Sequence, residues 1–330
     1  MKRYPGKILV TGGAGFIGSH LCERLIQERE NIICLDNFND YYDPRLKKDN
    51  ISRLKNNSKF LLIRGDILDR VLLEKVFQQN KISKIIHLAA LAGVRASFLA
   101  PEKYIDVDIK GTVNLLEMAR DYEVSQFIFG SSSSVYGLES KLPFREDEKN
   151  LFPISPYSVS KLSGELYCRS FNKNYKIPMI ILRFFTVFGP RQRPEMAIHK
   201  FTRLMKWGKL VPRYGLGNSL RDYTYIDDII DGIMKALNLN KKIKFEIFNF
   251  GNSKTTKLKD MISTLEKKLD IKSKIKKLPD QLGDLPITYA NISKAKKLLD
   301  WTPKISFEEG VERFLAWYLK KEKFLNTLTY

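Results

Sequence analysis

The chain has 330 residues, 43% hydrophobic, 28% charged and 12% aromatic, and 57 Lys and Arg against 37 Asp and Glu give it a formal charge of +20. This balance excludes a mainly disordered chain, no apolar run approaches the roughly 20 residues that cross a bilayer, and three cysteines without C-x-x-C spacing write neither a disulfide framework nor a metal site. The positive excess favours anionic company such as phosphates, but with no interleaved aromatics or recognition motif it reads as a Lys-rich solvated surface, and no nucleic acid is expected.

The opening Met1-Lys2-Arg3-Tyr4-Pro5-Gly6 runs straight into a strand, so a cytoplasmic protein is expected. Continuous apolar runs at 7–10, 31–35, 60–63, 84–88, 126–129 and 178–182 read as strands covered on both faces. Between them, 18–29, 69–79, 108–122 and 158–174 carry apolar residues at helical spacing, with Asp69 and Ser158 as caps. This alternation predicts an α/β fold, a Rossmann-type doubly wound parallel sheet. After Phe185 the pattern loosens: Gly, Pro and Arg crowd 189–194 and 212–221, then come a helix, a strand near 245–250, and helices near 257–269, 293–299 and 307–320. We read a main domain of residues 1–185 with about 223–252, and a smaller mixed α/β domain of about 186–222 with 253–330.

Thr11-Gly12-Gly13-Ala14-Gly15-Phe16-Ile17-Gly18 follows the first strand and leads into a helix. Its glycines suit a tight turn, a close approach to a pyrophosphate, and tight packing of helix on strand, while the helix N-terminus offers free N–H groups. Asp36 closes the second strand, 18 residues beyond Gly18, where a carboxylate accepts from a ribose diol and repels a 2′-phosphate. No Arg or Lys immediately follows it, so NAD is favoured over NADP. Asp66-Ile67, after the third strand, is a candidate adenine-edge contact.

Tyr157 and Lys161 stand four apart on one helix face, where a cation beside a phenol stabilises the phenolate and makes a proton shuttle. The run Ser131-Ser132-Ser133-Ser134-Val135-Tyr136-Gly137 ends the fifth strand, on the side of a parallel sheet where ligands bind. Hydroxyl, phenol and ammonium together make a hydride-transfer site.

These features, with Arg183-Phe184-Phe185-Thr186-Val187-Phe188-Gly189-Pro190, resemble the extended short-chain dehydrogenase/reductase family that acts on nucleotide sugars, over nearly the whole chain. Within it the likeness runs to UDP-glucuronate 4-epimerases, through Asp36-Asn37-Phe38-Asn39-Asp40-Tyr41-Tyr42-Asp43-Pro44, Ala92-Gly93-Val94-Arg95 and Arg193-Pro194-Glu195-Met196-Ala197. The resemblance implies that Ser132 holds the sugar O4, Tyr157 is the acid/base and Lys161 meets the nicotinamide ribose. It implies NAD contacts at Gly12, Gly15, Phe16, Ile17, Gly18, Asp36, Asn37, Asp66, Ile67 and Leu88-Ala89-Ala90. Arg221 is expected on the nucleotide diphosphate, Thr186 and Arg193 on the sugar carboxylate with Arg95 as a further candidate for it, and Ser133 and Asp284 among the substrate contacts. A homodimer is expected through the helices near 100–120 and 158–174.

A 4,6-dehydratase of this family carries adjacent Asp and Glu where this chain has Ser133 and Ser134, and a UDP-glucuronate decarboxylase has Glu at the second position. The expected reaction is therefore 4-epimerisation of a UDP-sugar through a 4-keto intermediate, with UDP-glucuronate foremost and UDP-glucose or UDP-N-acetylglucosamine as alternatives. A non-catalytic RNA-binding version of the fold is the remote alternative. Gln281, where neutral-sugar epimerases usually show Arg, agrees with the acid sugar. Asp108 where relatives commonly have Asn, Leu91 in place of a frequent Gln, and Pro212-Arg213-Tyr214-Gly215 depart from the pattern.

Overall fold

A computed structural model describes residues 6–239 and 244–329. In chain order the first half runs β1 (Lys7–Thr11), α1 (Phe16–Gln27), β2 (Ile32–Asp36), α2 (Pro44–Asn50), β3 (Phe60–Arg64), α3 (Arg70–Gln79), β4 (Ile82–His87), α4 (Val94–Leu99) and α5 (Pro101–Tyr104). A π-type turn (Ile105–Lys110) leads into α6 (Gly111–Asp121), followed by β5 (Gln126–Ser132), a 3-10 turn (Ser133–Tyr136), α7 (Pro156–Tyr175) and β6 (Met179–Phe184). The remainder is β7 (Thr186–Phe188), α8 (Ala197–Lys206), β8 (Leu210–Tyr214), β9 (Leu220–Arg221), β10 (Tyr223–Tyr225), α9 (Ile226–Leu237), β11 (Phe245–Phe250), β12 (Thr256–Lys257), α10 (Leu258–Leu269), β13 (Lys274–Leu278), α11 (Ser293–Leu299) and α12 (Phe307–Leu325).

Seven strands make one parallel sheet in the order β11-β6-β5-β4-β1-β2-β3. Because side chains alternate across a strand, Ile8 and Val10 of β1 enter one apolar layer while Leu9 enters the other. Both layers are buried, which is why the strand sequences read as unbroken apolar runs. Three short pairs, β7 with β10, β9 with β12 and β8 with β13, are separate from the main sheet, and β7 continues from the carboxyl end of β6.

The chain crosses between these parts repeatedly. One residue separates β6 from β7, and none separates β10 from α9. The buried Asp222 carboxylate fastens the crossing, accepting from the backbone N–H of Asn252 (2.5 Å), Ser253 (3.0 Å) and Ala290 (3.1 Å). Its own carbonyl accepts from Thr186 N (3.0 Å).

Two expectations are corrected. The long helix starts at Pro156, and its cap is Ser155, not Ser158: the Ser155 hydroxyl accepts from Ser158 N (3.1 Å), while Ser158 Oγ accepts from Ser155 N (2.9 Å). Pro156 fits the first helical turn because the N–H it lacks would have no partner there. The expected helix over 108–122 is interrupted, with Asp108 on the π-type turn and the regular helix beginning at Gly111.

Candidate active site

A cavity of about 420 Å³ opens at the carboxyl ends of the sheet strands. Gly12, Gly15, Phe16, Ile17 and Gly18 form one wall. Gly12 has φ +68°, and a Cβ there would lie 2.8 Å from Ala89 N; a Cβ on Gly18 would lie 2.2 Å from the Gly12 carbonyl oxygen. A Cβ on Gly15 would meet only that same oxygen, at 3.1 Å. Gly15 caps α1 without a side chain, so the first N–H groups of the helix are left for a ligand. This donor set fits a pyrophosphate.

Asp36 and Asn37, Asp66 and Ile67, and Leu88, Ala89 and Ala90 line the next stretch. Asp36 is buried and held on several sides, accepting from Ala14 N (3.1 Å) and Phe38 N (2.9 Å). Lys47 Nζ pairs with it at 3.2 Å and with Asn39 Oδ1 at 3.1 Å. No motif pointed to this cation, which arrives from α2, 11 residues on, over the Tyr42 ring. Asn37 Nδ2 donates to Asp66 (2.8 Å), joining the ends of β2 and β3.

Ser132, Tyr157, Lys161, Thr186 and Arg193 line the other end. The Ser132 hydroxyl accepts from Ser134 N at 3.2 Å and acts on the Tyr157 phenol. Lys161 Nζ donates to the Gly130 carbonyl (3.0 Å) and lies 6.0 Å from the Tyr157 ring centre. Burial raises the Tyr157 phenol above its ordinary value, Asp108 raises it further, and Ser132 and Arg193 pull it down. Burial lowers the Lys161 ammonium against the support of Asp108 and Glu165. The ammonium is thus turned to a backbone carbonyl while staying beside the phenol, and Ser132 and Arg193 also favour the phenolate.

Beneath this end lies a buried ion pair. Arg183 Nε and Nη2 donate to Glu165 at 2.9 and 2.7 Å, Ser131 Oγ donates to the same carboxylate at 2.5 Å, and the guanidinium sits 4.7 Å from the Tyr136 ring centre. It pins the carboxyl end of β5, and so Ser132, to α7.

Four expected residues lie outside the cavity lining: Arg95, Ser133, Arg221 and Asp284. Ser133 is buried in the turn after β5. Arg95 and Arg221 meet the two oxygens of Asp284 at 3.3 and 3.4 Å, making one cluster of two cations and one anion. Sequence reasoning missed Tyr41, Tyr42, Lys47, Val107, Phe185 and Met196 among the lining residues. Tyr41 and Tyr42 fall within the motif that carries the family likeness, so a signal existed; for Lys47 and Val107 none did.

The model of the family described as GDP-mannose 4,6 dehydratase matches residues 9–314. The chain is 41% identical over 313 residues to a UDP-glucuronate 4-epimerase of Thermodesulfobacterium geofontis, covering 94% of this chain and 96% of the relative. It is similar to the crystal structure of UDP-glucuronic acid 4-epimerase from Bacillus cereus in complex with UDP-glucuronic acid and NAD, with TM-score 0.90 and 41% identity over 95% of this chain and 99% of that one. It also resembles the UDP-glucose 4-epimerase of Thermotoga maritima solved with UDP-glucose, with TM-score 0.88 and 33% identity over 96% of this chain and 99% of that one.

Proposed function

We propose that this chain, which belongs to the GDP-mannose 4,6 dehydratase family, is an NAD-dependent 4-epimerase of a UDP-sugar whose substrate is UDP-glucuronate. NAD in the cavity supplies the hydride acceptor and donor for C4 of the sugar. The glycine loop and the open end of α1 hold its pyrophosphate, Asp36 meets a ribose diol, and Lys161 meets the nicotinamide ribose. Tyr157 takes the proton of the 4-hydroxyl and gives it back once the keto sugar has turned its other face. Ser132, beside that phenol, holds O4.

Loss of water, which the family description implies, needs a base for C5 and an acid for C6 beside Tyr157. Ser133 and Ser134 stand at the end of β5, and the carboxylates that line the cavity are Asp36 and Asp66, at the ends of β2 and next to β3. With no carboxylate lining the Tyr157 end, return of hydride is the outcome the site supports. The observation that carries the acid sugar is Arg193: a cation lining the cavity and acting on Tyr157, paired at Nε with Glu195 at 2.9 Å, whose remaining N–H groups give a carboxylate next to C5 a charge-assisted partner. Arg95 and Arg221 hold the nucleotide diphosphate after exchanging Asp284 for phosphate.

A homodimer is part of the proposal, supported by apolar Val159, Leu166 and Tyr167 exposed along α7. A cytoplasmic location is supported by three buried cysteines, all free. The test gives purified protein UDP-glucuronate and UDP-glucose in parallel without added cofactor, with products read by NMR. UDP-galacturonate is expected; UDP-galactose alone would overturn the acid-sugar assignment, and no product from either would overturn the epimerase.

A further inference from the structure

Asp108 is buried on the π-type turn, and each of its oxygens has a donor. Oδ1 accepts from Leu91 N in the loop after β4 (2.7 Å), and Oδ2 accepts from Ser160 Oγ (3.0 Å), on α7 between Tyr157 and Lys161. The carboxylate therefore ties a cavity-lining loop to the helix that carries the acid/base pair. Around it, α7 presents Tyr157 and Lys161 with Glu165 one turn on, and α5 presents Tyr104. His87 of β4 feels the charge of Lys161 and reaches the turn through Thr112, whose hydroxyl donates to the Asp108 carbonyl, and Arg193 acts on Tyr157 and Tyr104. The turn's own Asp106 and Lys110 are exposed.

We propose that Asp108 is a positioning residue that sets the charge balance of the Tyr157–Lys161 pair. This rests on the reaction proposed above. Its negative charge opposes the phenolate and supports the ammonium. Burial lifts the Asp108 carboxyl to about 6, against Lys161 and the two hydrogen bonds, so the charge develops as pH rises through that region. Asn at this position preserves the geometry. Its carbonyl accepts from Leu91 N, and its amide donates to the Ser160 hydroxyl, which keeps its own bond to the Tyr157 carbonyl (2.9 Å). Asp108→Asn therefore removes the charge and leaves the tie.

The experiment measures kcat and KM for UDP-glucuronate against pH in the parent, Asp108→Asn and Asp108→Ala, each with bound NAD. Without the anion both the phenol and the ammonium lose their protons at lower pH, so the whole bell of kcat moves to lower pH in Asp108→Asn. Turnover on the acid side rises several-fold, and KM is unchanged. Asp108→Ala shows the same displaced bell at lower height, because the tie is lost as well. Should Asp108→Asn not fold, Ser160→Ala removes a donor that favours the carboxylate and moves the acid limb the same way by less. A bell of unchanged position in these variants, at whatever height, overturns the inference while the reaction stands. A parent protein without turnover overturns both.

Discussion

Glu165→Gln probes how the floor of the site is held. In the parent, the Glu165 carboxylate takes two bonds from Arg183 and one from Ser131, and the side chains of the ion pair are 2% and 4% exposed. The substitution keeps the shape but leaves the guanidinium buried without a counter-charge, and breaking a buried pair on one side costs about 3–5 kcal/mol. At about 2.1 cal/mol/K per residue, a chain of 330 residues has an unfolding entropy near 0.7 kcal/mol/K, so the melting temperature should fall by about 4–7 °C. Differential scanning calorimetry reads this directly. The double variant Glu165→Leu with Arg183→Met replaces both charges by apolar groups and should recover most of the loss. The single variant should also turn over more slowly, because Ser131, next to Ser132, loses a charged acceptor. A single variant that melts with the parent, or a double variant that melts below the single, would refute the reasoning.

Tyr157→Phe should lower kcat by ~10²–10⁴-fold while nucleotide extracted from the purified protein still shows NAD at the parent level. Arg193→Ala should cost ~10–100-fold in kcat/KM on UDP-glucuronate, the worth of a charge-assisted contact, and little on UDP-glucose; equal losses on both sugars would remove Arg193 from sugar selection. Gly18→Ala places a methyl 2.2 Å from the Gly12 carbonyl and must distort the loop, so NAD content and the thermal shift on adding NAD should both vanish. Acid stability follows from five buried groups. Burial lowers His87 to about 3 and His20 and His199 to about 4, so their contribution is complete above their ordinary value of 6.5 and is lost as pH falls. Burial raises Asp108 and Asp222 to about 6, which works in the opposite direction and restores stability as pH falls below that value. Among these five groups the unfolded chain takes up more protons than the folded one just below pH 6, and urea titrations there should show stability falling as pH falls. A flat or rising profile would contradict the burial of these histidines.

Much of this was legible because it is local. Strands covered on both faces show as unbroken apolar runs, the glycine loop lies between its strand and helix, and Tyr157 and Lys161 share a helix face because four residues make about one turn. The start of α7 was misread by two residues, since Ser155-Pro156 and Ser158 both carry cap chemistry and only the reciprocal bond decides. The π-type turn leaves the apolar spacing of its segment almost unchanged and so gives no periodic signal. Partners remote in sequence were invisible: Lys47 reaches Asp36 from a helix over the cavity, and Glu165 meets Arg183 only because α7 packs on β6. The burial of the phenol and the turn of Lys161 toward Gly130 were out of reach for the same reason, being properties of the assembled site.

The stitching around Asp222 limits how the catalytic half-turn happens. With one residue between β6 and β7, none between β10 and α9, and a single carboxylate joining its own segment to the 252–253 loop and to Ala290, the main sheet and the short strand pairs are fastened at several points. For the proposed reaction this fastening favours a sugar that turns about its own glycosyl–phosphate linkage over one carried round by a swing of the protein.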